Sequence, residues 1–218
     1  MKIYKIAIDG PAGVGKSSAA KSVAKKLSFV YVDTGAMYRA VGVYCINNNI
    51  EVADVVNYLD KINIEMTYID GKQTVYLNGE DVSLKIRTPE GSIYASKVAV
   101  IKEVREKLVK MQQEMGKKTS VVMDGRDIGT KVFPDADVKI FLTASCEERA
   151  KRRFLELDKK VPYEEILEDI KFRDKNDSTR EIDPLRPAED AIILDNTNLD
   201  LEGTIQKIYN IILEKIGE

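Results

Sequence analysis

IDGPAGVGKSS, residues 8 to 18, decides how this chain is read. It fits the pattern G-x-x-x-x-G-K-[ST], with Gly10, Gly15, Lys16 and Ser17 at the fixed positions. The run before it, Ile3 to Ile8, is apolar and of strand type. The run after it, through about Leu27, carries a helical pattern. Strand, glycine turn and helix in that order form the context the pattern requires. The glycines let backbone N–H groups curl around a phosphate chain, and the helix adds its positive N-terminal end. Lys16 supplies a cation to the β- and γ-phosphates, and Ser17 offers a hydroxyl to Mg²⁺. Gly10, Pro11, Ala12, Gly13, Val14, Gly15, Lys16, Ser17 and Ser18 are therefore expected to hold a nucleoside triphosphate, with Ser17 as the direct metal ligand.

Outward from this loop, four more short apolar runs read as buried strands: Phe29 to Val32, Ser120 to Met123, Val138 to Thr143 and Ala191 to Leu194. Helical patterns separate most of them, which predicts a mainly parallel α/β sheet of five strands. Four of the five runs end directly in aspartate, at Asp9, Asp33, Asp124 and Asp195; the fifth ends near Thr143 and Ser145. Ligands of open parallel sheets bind at the carboxyl ends of the strands, although an aspartate there also serves as a helix cap. Ser145 with Glu148 predicts a capping box for a helix through about residue 158. Thr88-Pro89 opens a helical region expected to reach about Gly116. Ile205, Ile208, Ile212 and Ile216 mark the inner face of a C-terminal helix. Residues 63 to 83 alternate with period two and carry Asp70-Gly71 and Asn78-Gly79, so a small antiparallel insertion of about three strands is expected.

Composition narrows the chemistry. The 218 residues are 44% hydrophobic and 32% charged, with a net charge of −2 and no histidine. Ser-His-Asp and Cys-His catalysis and histidine-ligated zinc are excluded. A near-neutral chain draws neither nucleic acid nor anionic membrane by charge. No apolar run of about 18 residues exists, and the start, MKIYKIAIDG, lacks a signal peptide's apolar block. Two cysteines, without framework or metal-site spacing, fit a reducing cytoplasm, which is the expected location.

A phosphate loop leaves three classes open: a GTPase switch, a larger ATPase or a small-molecule kinase. No N/T-K-x-D guanine motif is present, since DKND at 174 to 177 is out of register, and a larger ATPase needs more chain. The kinase predicts a second anion site opposite the loop, because phosphoryl transfer depends on positioning and positive charge. Candidates cluster at strand ends. VDTGAMYR (32 to 39) delivers Thr34, Tyr38 and Arg39; VMDGRDIGT (122 to 130) delivers Asp124, Arg126 and Asp127, with Gly125 and Gly129 expected to allow a sharp turn. Arg105 lies on the helix before the third strand. In RDKNDSTR (173 to 180), Arg173, Asp177 and Arg180 stand at i, i+4 and i+7, within an arc of roughly 60° on a continuous helix.

Taken in order, IDGPAGVGKSS, DTGAMYR, DGRDIGT, VFPDA, KIFLTAS and RDKNDSTR resemble the bacterial cytidylate (CMP) kinases, over essentially the whole chain. The resemblance implies a P-loop nucleoside monophosphate kinase fold. Its core is 1–62 and 84–218, with an acceptor-binding insertion at 63–83 and a helical lid at about 146–165. It implies ATP and Mg²⁺ as cofactors, CMP or dCMP as substrate, no nucleic-acid or membrane partner, and a monomer. Ser96, Arg105 and Asp127 would read the cytosine edge. A carboxylate matches the N4 amino donor, and arginine and hydroxyl match N3 and O2. Uracil presents an acceptor where N4 would be and is rejected. Arg39 and Arg126 would hold the acceptor phosphate, Thr34, Tyr38, Asp124 and Gly125 would line the pocket, and Arg173, Asp177 and Arg180 would reach ribose and phosphates. Lys16, Arg126, Arg180 and Arg39 would carry the catalytic charge. Arg149, Arg152 and Arg153 would contribute from the lid, and DNTNLD (195 to 200) would border the adenine. Either Asp124 or Asp33 would support the metal. Thr34 departs from the serine that the family often has there. A kinase for another small acceptor and a non-catalytic nucleotide switch are the competing readings.

Overall fold

A computed structural model describes residues 2–69 and 72–217. In chain order the elements are β1 (Lys5–Asp9), α1 (Lys16–Leu27), β2 (Val30–Asp33), α2 (Thr34–Asn47), the hairpin strands β3 (Ile64–Ile69), β4 (Lys72–Leu77) and β5 (Glu80–Asp81), α3 (Pro89–Val98), α4 (Lys102–Lys118), β6 (Val121–Gly125), β7 (Val138–Thr143), α5 (Cys146–Glu156), α6 (Tyr163–Thr179), β8 (Ile192–Asp195) and α7 (Leu201–Ile216). A long 3-10 segment, Val52–Lys61, a short one, Lys85–Arg87, and a π-helical turn, Ile128–Val132, lie between these elements and escape sequence patterning.

The five core strands are parallel, in the order β2-β6-β1-β7-β8. Their apolar runs are continuous because helices cover both faces, the usual condition of a parallel sheet. On one face Ile6, Ile8, Val122, Ile140 and Leu142 pack against Ala19, Ala20, Val23 and Ala24 of α1 and Ile205, Ile208 and Ile212 of α7. The alanines let α1 lie close to the sheet. On the other face Ala7, Val32, Val121 and Met123 pack against Ile128, Val132 and Phe133. A third core joins α2, α3 and α4 to the inner face of the hairpin sheet, through Met37, Tyr44, Val75, Leu77 and Leu108. The central strand β1 pairs with β6 on one side and β7 on the other, so the loop after it opens at the sheet's switch point.

Asn78 and Gly79 have φ of 51° and 84°, the pair of positive values that a two-residue hairpin turn of this kind demands. Asp70-Gly71 lies outside the described residues. Three local expectations are corrected. The helical region after Thr88 is two helices, broken at Ala99 to Ile101; Val98, Val100 and Ile101 crowd β-branched side chains there, and Ile101 is extended. Only half of the capping box forms. Ser145 accepts the Glu148 N–H at 3.2 Å, but the Glu148 carboxylate turns to Arg152. Finally, α6 ends at Thr179 and Arg180 has an extended backbone, so the shared helical arc does not include Arg180.

Candidate active site

The loop from Gly10 to Ser17 takes its shape from three glycines with positive φ: Gly10 at 152°, Gly13 at 72° and Gly15 at 90°. A Cβ on Gly10 would sit 2.1 Å from the Leu142 carbonyl oxygen, so no other residue fits there. Lys16 is buried and donates to the Pro11 carbonyl at 2.6 Å. Burial, then the nearby Arg126, pushes its pKa well below the usual lysine value, against the pull of Asp124, Asp177 and Asp9.

Behind the loop, Asp33 and Asp124 stand opposite each other on β2 and β6. Their surroundings differ. Asp33 accepts the Ala36 N–H as the cap of α2 and pairs with Arg39 at 2.6 Å. Asp124, 4% exposed, accepts the Ser17 hydroxyl at 2.8 Å and the Tyr31 hydroxyl at 2.9 Å. Burial and then Asp33 push its carboxyl up to about 6, against Lys16 and the two hydroxyls. Ser17 and Asp124 together offer hard oxygen donors beside the phosphate loop, which suits Mg²⁺ completed by phosphate and water.

The opposite wall holds the second charge cluster. Arg105, 1% exposed, pairs with Asp127, donates from Nε to Asp183 at 3.0 Å and from Nη1 to the Ala99 carbonyl at 3.0 Å, with the Tyr38 ring 5.7 Å away. Burial pushes the Tyr38 hydroxyl up to about 12. Asp127, 6% exposed, lies 3.5 Å from Arg180, whose Nε donates to the Asp183 carbonyl at 2.7 Å. Arg126 donates from Nε to Asp177 at 2.7 Å, and despite burial that partner holds the Asp177 carboxyl below its usual value. Arg173 faces Asp169 at 3.7 Å. Thr34 turns its hydroxyl inward, onto the Asp124 carbonyl at 2.8 Å.

One cleft of about 380 Å³ joins the two walls. The loop residues Ala12 to Ser18 line it, as do Thr34, Tyr38, Arg39, Ser96, Arg105, Asp124, Gly125, Arg126, Asp127, Arg153, Arg173, Asp177 and Arg180. Gly10, Pro11, Arg149 and Arg152 do not. Arg149, 3% exposed, donates to the carbonyls of Ala144 and Ala12 and pairs with Asp174 at 2.6 Å; Asp174 in turn accepts the Ala12 N–H at 3.2 Å. Arg152 donates to the carbonyls of Asn196, Thr197 and Leu199. These two arginines are engaged on backbone carbonyls and on the carboxylates of Asp174 and Glu148, and neither lines the cleft. Gly125 and Gly129 have ordinary φ, so their role is closeness: a Cβ on Gly125 would lie 2.7 Å from the Thr34 hydroxyl. Asp174, Asp183 and Tyr31 escaped the sequence reading. Asp174 lies inside RDKNDSTR but about 100° round the helix from Arg173, off the arc that Arg173 and Asp177 share.

The comparisons decide the family. The family model described as cytidylate kinase matches residues 6–216. The chain belongs to the cytidylate kinase family. It is 56% identical to a cytidylate kinase from Caldicellulosiruptor saccharolyticus, covering 100% of this chain and 99% of that one, and 49% identical to one from Bacillus subtilis, covering 98% of each. Membership makes it a nucleoside monophosphate kinase. Among solved structures it resembles a gluconokinase from Sinorhizobium meliloti 1021, with a TM-score of 0.53 at 12% identity over 98% of this chain and 94% of that one. A protein from Eubacterium ventriosum gives 0.56 at 15% over 98% and 99%. At such identities the likeness is one of fold, and it supports the P-loop kinase architecture. Among the described residues no helix is long and apolar enough to cross a membrane.

Proposed function

We propose that this chain transfers the γ-phosphoryl group of ATP to CMP or dCMP. The observation that carries the reading is Asp127. A buried carboxylate is held between Arg105 and Arg180 in the same cleft as the phosphate loop. Such a carboxylate accepts the cytosine N4 amino group and repels the O4 of uracil. Arg105 and the Ser96 hydroxyl supply donors for O2 and N3.

The triphosphate lies along residues 10–18, with the γ-phosphate toward Lys16. Arg39, Arg126 and Arg173 hold the acceptor phosphate, and Asp177 takes a sugar hydroxyl. On binding, the pairs Arg126–Asp177 and Arg39–Asp33 loosen, so each guanidinium turns a fork toward phosphate oxygens. No general base is required, because the acceptor phosphate is already ionised near neutral pH. Its oxygen attacks in line while Lys16, Arg126, Arg180 and Arg39 stabilise the spreading negative charge. Ser17 is the direct Mg²⁺ ligand. Asp124 would support it in preference to Asp33, because Asp124 already holds the Ser17 hydroxyl while Asp33 is engaged on the Ala36 N–H as the cap of α2. Mg²⁺ held by Ser17 would supply positive charge that offsets the charge of the phosphates. The lid is the helical segment at about 146–165, α5 and the start of α6, and of its three arginines Arg153 lines the cleft. Its closure excludes water and so suppresses ATP hydrolysis.

A coupled ADP-release assay across CMP, dCMP, UMP and AMP tests the reading. CMP or dCMP should give the highest kcat/KM, and Asp127→Ala should erode that preference while leaving the KM for ATP nearly unchanged. Equal turnover of UMP or AMP by the unmodified enzyme would sink the assignment.

A further inference from the structure

The π-helical turn Ile128–Val132 begins directly after Asp127, yet Asp127 does not cap it. An aspartate in that position ordinarily folds its carboxylate back onto the free N–H groups of the first turn. Here both Asp127 oxygens face arginines instead. The free N–H groups are taken by a residue 119 positions away: Asp9 Oδ1 accepts from Ile128 at 2.8 Å, and Oδ2 accepts from Gly129 at 2.7 Å. Asp9 is the last residue of β1, adjoins Gly10 of the phosphate loop and is 5% exposed. Gly129 allows this approach, since a Cβ there would meet the Lys139 stem at 3.2 Å and Asp9 Oδ2 at 3.4 Å.

We propose that Asp9 is a positioning residue for acceptor specificity: by capping the 128–132 turn from across the sheet, it leaves Asp127 free to read the base. This rests on the assignment of Asp127 to the cytosine amino group. The chemistry follows from satisfaction of donors. Asparagine at position 9 keeps one acceptor oxygen and presents an amide N–H₂ to the other backbone N–H. That N–H is then buried without a partner, which is costly. The nearest carboxylate able to answer it is Asp127, which then turns from the cleft into its own loop. Base discrimination falls, while the triphosphate cradle, whose own contacts are intact, is spared.

The test measures kcat/KM for CMP and UMP, and KM for ATP, in the full-length enzyme and in Asp9→Asn, Asp127→Asn and the double variant. Asp9→Asn should lower the CMP-over-UMP ratio roughly tenfold, with the ATP KM within about twofold. Asp127→Asn should lower the ratio at least as much, and the double variant should be no worse than Asp127→Asn alone, because both act through one carboxylate. If Asp127→Asn lowers the ratio and Asp9→Asn does not, the inference fails and the base-reading assignment stands. If Asp127→Asn leaves the ratio intact, that assignment fails and the inference with it. An equal rise in the ATP and CMP KM values for Asp9→Asn also overturns it, since it marks a general structural role. Should Asp9→Asn not fold, Asp9→Ala, which removes the acceptor of both N–H groups, replaces it with the same expected fall in the CMP-over-UMP ratio. Failure of both to fold makes Asp9 a determinant of the fold and overturns the proposal.

Discussion

Buried beside Asp33, the Asp124 carboxyl titrates near 6 instead of 3.8, so its ionisation opposes folding. That opposition is absent below about pH 4, grows between about 4 and 6, and is complete above 6. Asp124→Asn should therefore melt about 2–4 °C higher at pH 8 and show little gain at pH 4. It should also lose at least about a hundredfold in kcat, by removing the support for Ser17 and its metal. Thermal melts at the two pH values together with the ADP assay check both halves; an unchanged melting temperature at pH 8 would contradict the burial argument. The same titration predicts that the Mg²⁺ concentration for half-maximal rate rises as pH drops through about 6, because proton and cation compete for one carboxylate. At position 177, replacement by alanine should raise the KM for CMP by about tenfold or more, the worth of a charge-assisted hydrogen bond. The exposed Lys175→Ala should stay within about twofold. At this scale legibility followed chain geometry. Arg39 and Arg126 follow strand ends, and the sheet places both on the lining of the cleft. Asp183 lies in an irregular loop with φ of 47°, and nothing in REIDPL marks it as the partner of Arg105.

Helices α5 and α6 carry a small core of their own, in which Ala150, Ile166 and Ile170 are buried and Phe154 meets Tyr163 edge to face. So small a core predicts a unit that opens and closes as one piece with modest local stability. Hydrogen exchange should be faster across α5–α6 than in β1 and β6, and saturating ATP analogue plus CMP should slow it at least about tenfold. Exchange in the α5–α6 hairpin as slow as in the central strands would contradict a lid. The hairpin's root is firmer. Arg149 ties α5 to Ala12 and Ala144, and its partner Asp174 ties α6 to the same Ala12. Arg149→Ala should cost about 2–4 kcal/mol, a fall of roughly 5–15 °C in the melting temperature, because it strips partners from buried carbonyls and a half-buried carboxylate. Local periodicity, near 3.6 in α7 and two in β3 and β4, displayed the amphipathic helix and the strand alternation, since both depend on local spacing. It did not show the break between α3 and α4 or the exit of Arg180 from α6. Those depend on side chains turning back onto nearby backbone, as Arg105 does onto the Ala99 carbonyl and Arg180 onto the Asp183 carbonyl, contacts that no regular period announces.

Across the whole molecule, the strand order β2-β6-β1-β7-β8 puts the first strand of the chain at the centre of the sheet. The five-strand count and the parallel arrangement were readable, because buried parallel strands leave continuous apolar runs. The cleft was readable only as a need for a second anion site; across it the loop residues at 12–18 share a lining with Arg126, Asp177 and Arg180, each more than a hundred residues further on. Biosynthesis inherits the consequence. The phosphate loop leaves the ribosome well ahead of its structural partners, since β1 finds its neighbours only once Val121–Gly125 and Val138–Thr143 have been made. At about 5–20 residues per second, the nascent chain carries an unpaired apolar strand for several seconds before its sheet can close. During that interval the strand is a natural client for chaperones, and mutations that expose or lengthen it should reduce the yield of folded enzyme before they alter its activity.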